Sequence, residues 1–285
     1  MRLKMKYISK EKGLLLPMHY NYVLQALLYN TFSNEIANFL HTEGFTLNNR
    51  RFKLFTFSRI LEKGSRVYGK RLAELKSQLN INSKFLTRKN SKVEEALYFE
   101  NGFSFYFSSP KNFLIEDIGS RAVSIPKSIL SGQEIFIESI EVLPHLSFSN
   151  KLNIKTLSPV TVYSTAKIEG KRKLTYYYSP HEKEFPDLIQ KNAEKKYVLI
   201  NGVKPKGSLN ITPLYFNEKR NRAVVYFKDT RIEGWTGVFT LEGEPDIINV
   251  VYEAGLGSKN PEGFGMWEPY EDRRSQDSEK KHDKD

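Results

Sequence analysis

Five histidines come first when looking for proton chemistry, because imidazole exchanges a proton near neutrality. They are His19, His41, His145, His181 and His282. No two stand at a metal-ligand spacing, and no carboxylate cluster accompanies them. Neither a metal site nor a cofactor is therefore expected. His41 has the most suggestive setting. It ends a short candidate helix just before a basic, glycine-containing loop. The negative end of a helix favours the protonated imidazole, the form that serves as a general acid. Most helix-end histidines are surface or packing residues, so the position alone does not decide.

The second feature is the loop GLGSKNPEGFG at 255–265. Gly255 and Gly257 enclose one apolar residue, Gly263 and Gly265 another. No Lys-Ser/Thr follows, so it is not a phosphate-binding Walker loop. Its glycine spacing and an expected flanking strand also exclude a dinucleotide fingerprint. Glycine allows close backbone approach and positive φ. Lys259 at the centre adds a charge suited to phosphate. Taken alone, such a loop is more often an ordinary glycine-rich hairpin.

The elements that must hold these residues read as follows. Residues 2–8 alternate as a strand, and 19–30 form a helix with Val23, Leu24, Leu27 and Leu28 on its apolar face. Ser33 caps a second short helix that Gly44 ends. RFKLFTFSRI (51–60), GFSFYFSS (102–109) and EIFIESIEVL (134–143) read as strands, with a helix over 110–121. Residues 62–100 read as an insertion, helical from Lys70 to Leu79. The order strand, helix, strand, strand, helix, strand is ferredoxin-like. After a linker near Ser147–Lys151, TLSPVTVYST begins with strand character and a helix follows Pro186. SLNITPLYF, AVVYFKDTRI, TGVFTLEG and INVVYEAGLG read as strands. The fold class is thus α+β with antiparallel sheets, with domains expected over 1–148 and 149–270. Residues 271–285 hold no apolar side chain and are expected to be disordered.

Composition narrows the partner. The 285 residues carry 44 Lys and Arg against 33 Asp and Glu, a formal charge of +11. The tail is nearly charge-balanced, so the excess belongs to the body, which suggests a polyanion. Arg50 and Arg51, Lys171 and Arg172, and Arg220 and Arg222 sit in basic stretches suited to RNA phosphates. The absence of cysteine excludes disulfides, thiolate zinc sites and a cysteine nucleophile. No signal peptide or membrane span is legible, and a cytoplasmic protein is expected.

The glycine loop matches the GhGxxxxxGhG signature of the RAMP superfamily, where h is apolar. QALLYNTF (25–32), FLH (39–41), KLFTFS (53–58), FYFSSP (105–110), TLSPVTV (156–162) and YEAGLG…GFGM (252–266) stand in the order of that superfamily's Cas-six-type CRISPR endoribonucleases. The chain resembles that family over about residues 1–268. The resemblance implies two tandem ferredoxin-like (RRM-like) domains acting as monomer or homodimer. It implies binding of precursor and mature CRISPR RNA, contact with other Cas proteins of an interference complex, and cleavage within each repeat without a metal. It places the catalytic group at Tyr29, His41 and Lys53, with Arg50 or Arg51 as substitutes for Lys53 because the preceding loop is long. A non-catalytic RAMP subunit that holds CRISPR RNA as a scaffold shares the same fold and loop.

The chemistry such a group must perform is clear. The substrate's 2′-hydroxyl attacks the adjacent phosphate in line with the leaving 5′-oxygen. A base takes the 2′ proton and an acid protonates the 5′-oxygen, each step worth about 10²–10⁴-fold. A cation stabilises the phosphorane oxygens. His41 suits either proton role, Tyr29 its partner or a phosphate or 2′-hydroxyl donor, and Lys53 the cation. The sequence leaves open which of Tyr29 and His41 is the base.

Overall fold

The computed structural model describes residues 1–11, 13–82, 86, 94–166 and 174–271. In β1 (Arg2–Ser9) Leu3, Met5 and Tyr7 are buried while Lys4 and Lys6 are half-exposed. β2 (Leu14–Pro17) leads to α1 (Asn21–Thr31), whose Val23, Leu24, Leu27 and Leu28 are buried as their spacing predicts. Ser33 caps α2 (Asn34–Thr42) by accepting from the Ile36 amide at 3.4 Å. Gly44, at φ +63°, ends it. A small hairpin, β3 (Phe45–Leu47) and β4 (Arg50–Phe52), then precedes β5 (Thr56–Phe57). β6 (Ser65–Tyr68), α3 (Gly69–Gln78) and β7 (Glu95–Phe99) follow. β8 (Phe103–Ser108), α4 (Asn112–Ser124), β9 (Lys127–Leu130) and β10 (Gln133–Val142) complete this half.

The main sheet runs β5-β8-β1-β10-β9. β1 is antiparallel to both β8 and β10, and β5 is antiparallel to β8. With α1 and α4 as the two helices, this is the ferredoxin-like order, extended at one edge by β9. Its core joins Leu24, Leu28 and Phe32 to Phe55, Phe57, Phe105 and Phe107, with Leu114 and Ile118 of α4. The expected insertion is real. β2, β7 and β6 pair in a separate sheet, and α3 packs there around Leu15, Val67, Leu72 and Leu75.

The second half repeats the plan. β11 (Lys151–Thr156) is followed by the hairpin β12 (Tyr163–Ala166) and β13 (Leu174–Tyr177), then α5 (Glu184–Asn201). β14 (Leu209–Leu214), α6 (Glu218–Asn221), the hairpin β15 (Arg222–Phe227) and β16 (Thr230–Trp235), and β17 (Val238–Gly243) come next. α7 (Pro245–Ala254) and β18 (Trp267–Pro269) close it. The sheet order β14-β17-β11-β18 is again ferredoxin-like, with two hairpins inserted.

Five readings of the sequence need correction. INVVYEAGLG is not a strand, because Pro245–Ala254 is helical. Burial of Ile247, Ile248, Val250 and Val251 overrides their β-branched preference, and Pro245 in the first turn with Asp246 beside it is a helix start. Residues 51–60 are not one strand, because the chain breaks between Phe52 and Thr56, where Leu54 takes φ +51°. AVVYFKDTRI is a hairpin turning at Lys228 and Asp229, Lys228 with φ +53°. The expected linker at Ser147–Lys151 already enters β11, and the strand expected from Thr156 ends there. The expected disorder of the tail concerns residues 272–285, which lie outside the described residues.

The two halves are tied through Arg2. Its guanidinium is buried, donates to the carbonyls of Trp267 and Tyr252 at 3.0 Å each, and lies 3.8 Å from the centre of the Tyr252 ring. Burial lowers its pKa to about 10.

Candidate functional site

The glycine loop begins where α7 ends. Gly257, at φ +65°, sits where a Cβ would lie 2.5 Å from the Thr161 carbonyl oxygen. At Gly265, φ +80°, a Cβ would meet the Leu256 carbonyl. Gly255 and Gly263 are closed off by Asn260, and by Phe57 and Asn21. All four are buried. The close approach that demands glycine is therefore to protein atoms. What the loop offers outward is Ser258, Lys259, Pro261 and Glu262, each half-exposed.

A lysine that the sequence analysis passed over holds the loop from inside. Lys196 of α5 is 2 % exposed. Its ammonium donates to Gly255 O at 2.6 Å, Gly257 O at 2.9 Å and Asn260 Oδ1 at 2.7 Å. These three bonds use all three protons. Asn260 in turn donates to the carbonyls of Leu256 and Phe264. Burial pushes the Lys196 pKa well below the usual lysine range. The signal was present in the sequence: Lys196 lies three and seven residues after Ala193 and Ile189, on the apolar stripe of α5.

The loop packs against the first half. Asn21 donates to the carbonyls of Glu262 and Gly263, Gln25 to Pro261 O at 2.7 Å, and Thr56 Oγ1 to Phe264 O at 2.9 Å. Between the halves remains a cleft of about 320 Å3. Arg50, Arg51 and Lys53 line one side of it, and Tyr163, Asn192, Lys196 and Lys259 the other. Lys195, depressed by burial and by the nearby charges of Arg50 and Lys191, belongs to the same basic cluster. Basic stretches far apart in sequence thus converge on one groove.

Lys53 is the link to the candidate catalytic residues. Its ammonium lies 6.0 Å from the centre of the Tyr29 ring. Burial, then Arg51, lowers its pKa. Leu54 beside it occupies the left-handed region, a strained conformation for a branched side chain and one that clusters at working sites. Tyr29 packs edge-on against Phe32 and Phe55, and burial pushes its pKa up to about 12. His41 is exposed in the last turn of α2. Arg51 Nη1 donates to the carbonyl of the next residue, Thr42, at 2.5 Å, so the β3–β4 hairpin folds back onto the helix end that carries His41. Lys53 lines the cleft; Tyr29 and His41 are not among its walls.

The other candidates are dispersed. Lys259 takes φ +59°, pairs with Glu262 at 3.2 Å and lies 5.5 Å from the Tyr163 ring centre. Arg222 is paired with Glu233, which Arg231 also holds. Arg220 is exposed at α6, and neither Arg220 nor Arg222 lines the cleft. Lys171 and Arg172 lie outside the described residues. His19 packs edge-on against Tyr226 at 5.1 Å. Among the described residues no group of three His, Cys, Asp or Glu is placed to hold a metal ion, and no helix is long and apolar enough to cross a membrane.

Comparison with known proteins gives this geometry a context. Residues 142–269 match the family model of the CRISPR associated protein Cas6, C-terminal. The chain is 28% identical over 264 residues to the CRISPR-associated endoribonuclease Cas6 of Pyrococcus furiosus, covering 90% of this chain and 85% of that one. It is 27% identical over 287 residues to the CRISPR-associated endoribonuclease Cas6 1 of Methanocaldococcus jannaschii, covering 99% and 97%. The solved structure of a Cas6-related protein from Pyrococcus furiosus superposes with a TM-score of 0.73 at 23% identity, covering 96% of this chain and 99% of that one. A matching C-terminal model, curated relatives aligned along nearly the whole chain and a solved structure of the same fold converge: the chain is similar to Cas6 proteins over nearly its entire length.

Proposed function

We propose that this protein is an endoribonuclease that cuts CRISPR precursor RNA within its repeats, without a metal ion, by attack of the substrate's 2′-hydroxyl. The observation that carries the reading is the cleft in which the Arg50–Lys53 segment meets the glycine loop, within a chain whose curated relatives are named endoribonucleases. Those names also disfavour the non-catalytic scaffold as the alternative. RNA enters between the halves, where Arg50, Arg51, Lys53 and Lys259 face its phosphates.

The reaction is a transesterification. The 2′-oxygen forms a bond to phosphorus as the bond from phosphorus to the 5′-oxygen breaks, leaving a 2′,3′-cyclic phosphate and a 5′-hydroxyl. Lys53 neutralises charge on the non-bridging oxygens, which counts for more in a partly buried site than in water. Tyr29, its pKa pushed up to about 12, keeps its proton near neutrality and serves as a hydrogen-bond donor to the phosphate or the 2′-oxygen. The proton-transfer role is then assigned to His41. His41 stands outside the cleft walls, so this reading requires the scissile phosphate to lie beyond them, towards the end of α2 where Arg51 reaches the Thr42 carbonyl.

A repeat RNA carrying 2′-deoxyribose just upstream of the scissile phosphate tests the nucleophile. It is expected to bind as the all-ribose repeat does and to remain uncut. Cutting at the ordinary rate would mean that water attacks instead.

A further inference from the structure

We infer that the cleft between β4 and the glycine loop is a pocket for one nucleotide of the RNA, with Tyr163 stacking on a base that carries an exocyclic amine and Asn192 accepting a hydrogen bond from that amine. The inference rests on the RNA-binding reading above and adds a base preference to it.

Size comes first. About 320 Å3 lies at the lower end of the range of small-ligand sites, roughly 300–1,000 Å3, and suits a single nucleotide. The walls are divided by chemistry. Arg50, Arg51 and Lys53 bring cations from one side, while Tyr163 and Asn192 bring a ring and an amide from the other.

Asn192 is the informative residue. Its Oδ1 is buried and accepts no hydrogen bond among the described residues. An unmatched buried acceptor costs about 1–3 kcal/mol, so such atoms are rare without a reason. Four polar neighbours across the site have other partners. Lys196 donates to the two glycine carbonyls and Asn260, Asn260 to Leu256 and Phe264, Gln25 to Pro261 and Arg51 to Thr42. A phosphate cannot serve Asn192, because it would bring oxygen against oxygen. The missing group is a donor. An adenine or cytosine amino group projects two protons from the base edge, whereas the one ring N–H of uracil sits between two carbonyls that would oppose Oδ1. Asn192 and Lys196 share one face of α5, four residues apart, so the helix that fixes the glycine loop also fixes the reading amide.

Tyr163 supplies the platform. It is half-exposed, lines the cleft, and is cross-strand partner to Tyr177, with ring centres 5.7 Å apart. Tyr177 is fixed in turn by a hydrogen bond to Arg231 O and by packing beside Val225, Ile232 and Phe264. Bases stack on such a ring irrespective of identity. Stacking and reading are therefore assigned to different residues.

The test uses three labelled RNA homopolymers of equal length, oligo(A), oligo(C) and oligo(U), with the full chain and two variants at low salt. The wild type is expected to bind oligo(A) or oligo(C) about tenfold more tightly than oligo(U), the scale of one good base contact. Asn192→Leu removes the orphan oxygen without adding charge and should bring all three within about twofold of one another. Tyr163→Ala should weaken all three by about tenfold and keep the order. Equal binding of the three RNAs by the wild type, or an unchanged preference in Asn192→Leu, would overturn the pocket while leaving RNA binding intact. Absence of binding to any of the three would overturn the RNA-binding reading itself.

Discussion

Tyr29, His41 and Lys53 divide by environment in a way that composition alone could not give. Tyr29 and Lys53 are partly buried and close to each other, while His41 is exposed at a helix end. His41→Ala should lower the single-turnover cleavage rate by about 10²-fold or more, the value of a lost proton transfer, with repeat affinity little changed. A wild-type rate at saturating enzyme would remove His41 from the chemistry. Tyr29→Phe tests a different point. The raised pKa means that Tyr29 holds its proton across the neutral range, so the variant should lower the height of the pH–rate profile without moving its limbs between about pH 5 and 9. Loss of a limb would show that Tyr29 titrates there. His41 and Lys53 are expectations drawn from family landmarks. Asn192 and Lys196 were not singled out, because an asparagine and a lysine within AEKK-like helical sequence ordinarily read as solvated, and only the spacing of Lys196 from Ala193 and Ile189 pointed inward.

The glycine loop and α5 act as one element. The loop's shape depends on glycines pressed against protein and on a buried ammonium beneath them. Gly257→Ala should destabilise the protein by about 2–4 kcal/mol through a forced contact in the left-handed region, read from denaturant unfolding. The pH dependence of Lys196 has a definite sign. Its folded pKa is depressed, so below that value both the folded and unfolded chains carry the proton and the folded one bears the full cost of burying it. As pH rises from the folded pKa towards the ordinary lysine value, the unfolded chain binds more protons and stability increases. Lys196→Met should lose stability overall and also lose that rise, measured as Tm against pH. A rise equal to the wild type's would mean that another group carries it. At this scale the sequence showed the helices whose apolar faces repeat cleanly, such as α1 and α2. It misled at α7, where the β-branched run Ile247, Ile248, Val250 and Val251 suggests a strand although Asp246, Asn249 and Glu253 mark one polar helical face.

Across the whole molecule, the charge of +11 gains meaning from its placement. Arg50, Arg51 and Lys53 meet Lys195 and Lys259 only because Arg2, Asn21, Gln25 and Thr56 dock the second half onto the first. The ferredoxin-like order of the first half was readable from its succession of elements. Docking was not, since each of these contacts joins residues more than 200 positions apart. The groove also contains its own brake, because Glu262 shares the charge of Lys259. Lys259→Ala should weaken repeat binding and reduce the salt slope by about 0.7, one single-strand phosphate's worth. Glu262→Gln should strengthen binding by freeing that lysine. Equal affinity of both variants and the wild type across a salt series would place the RNA backbone elsewhere.

Everything at the three scales bears on cleavage of repeat RNA by the protein's own proton donors and cations. End-labelled repeat RNA, incubated with excess wild-type protein in EDTA, tests it most directly. The expected result is one cut per repeat at the rate seen without chelator, giving a 5′-hydroxyl fragment and a 2′,3′-cyclic phosphate. Intact RNA in EDTA, with cutting restored by magnesium, would contradict it.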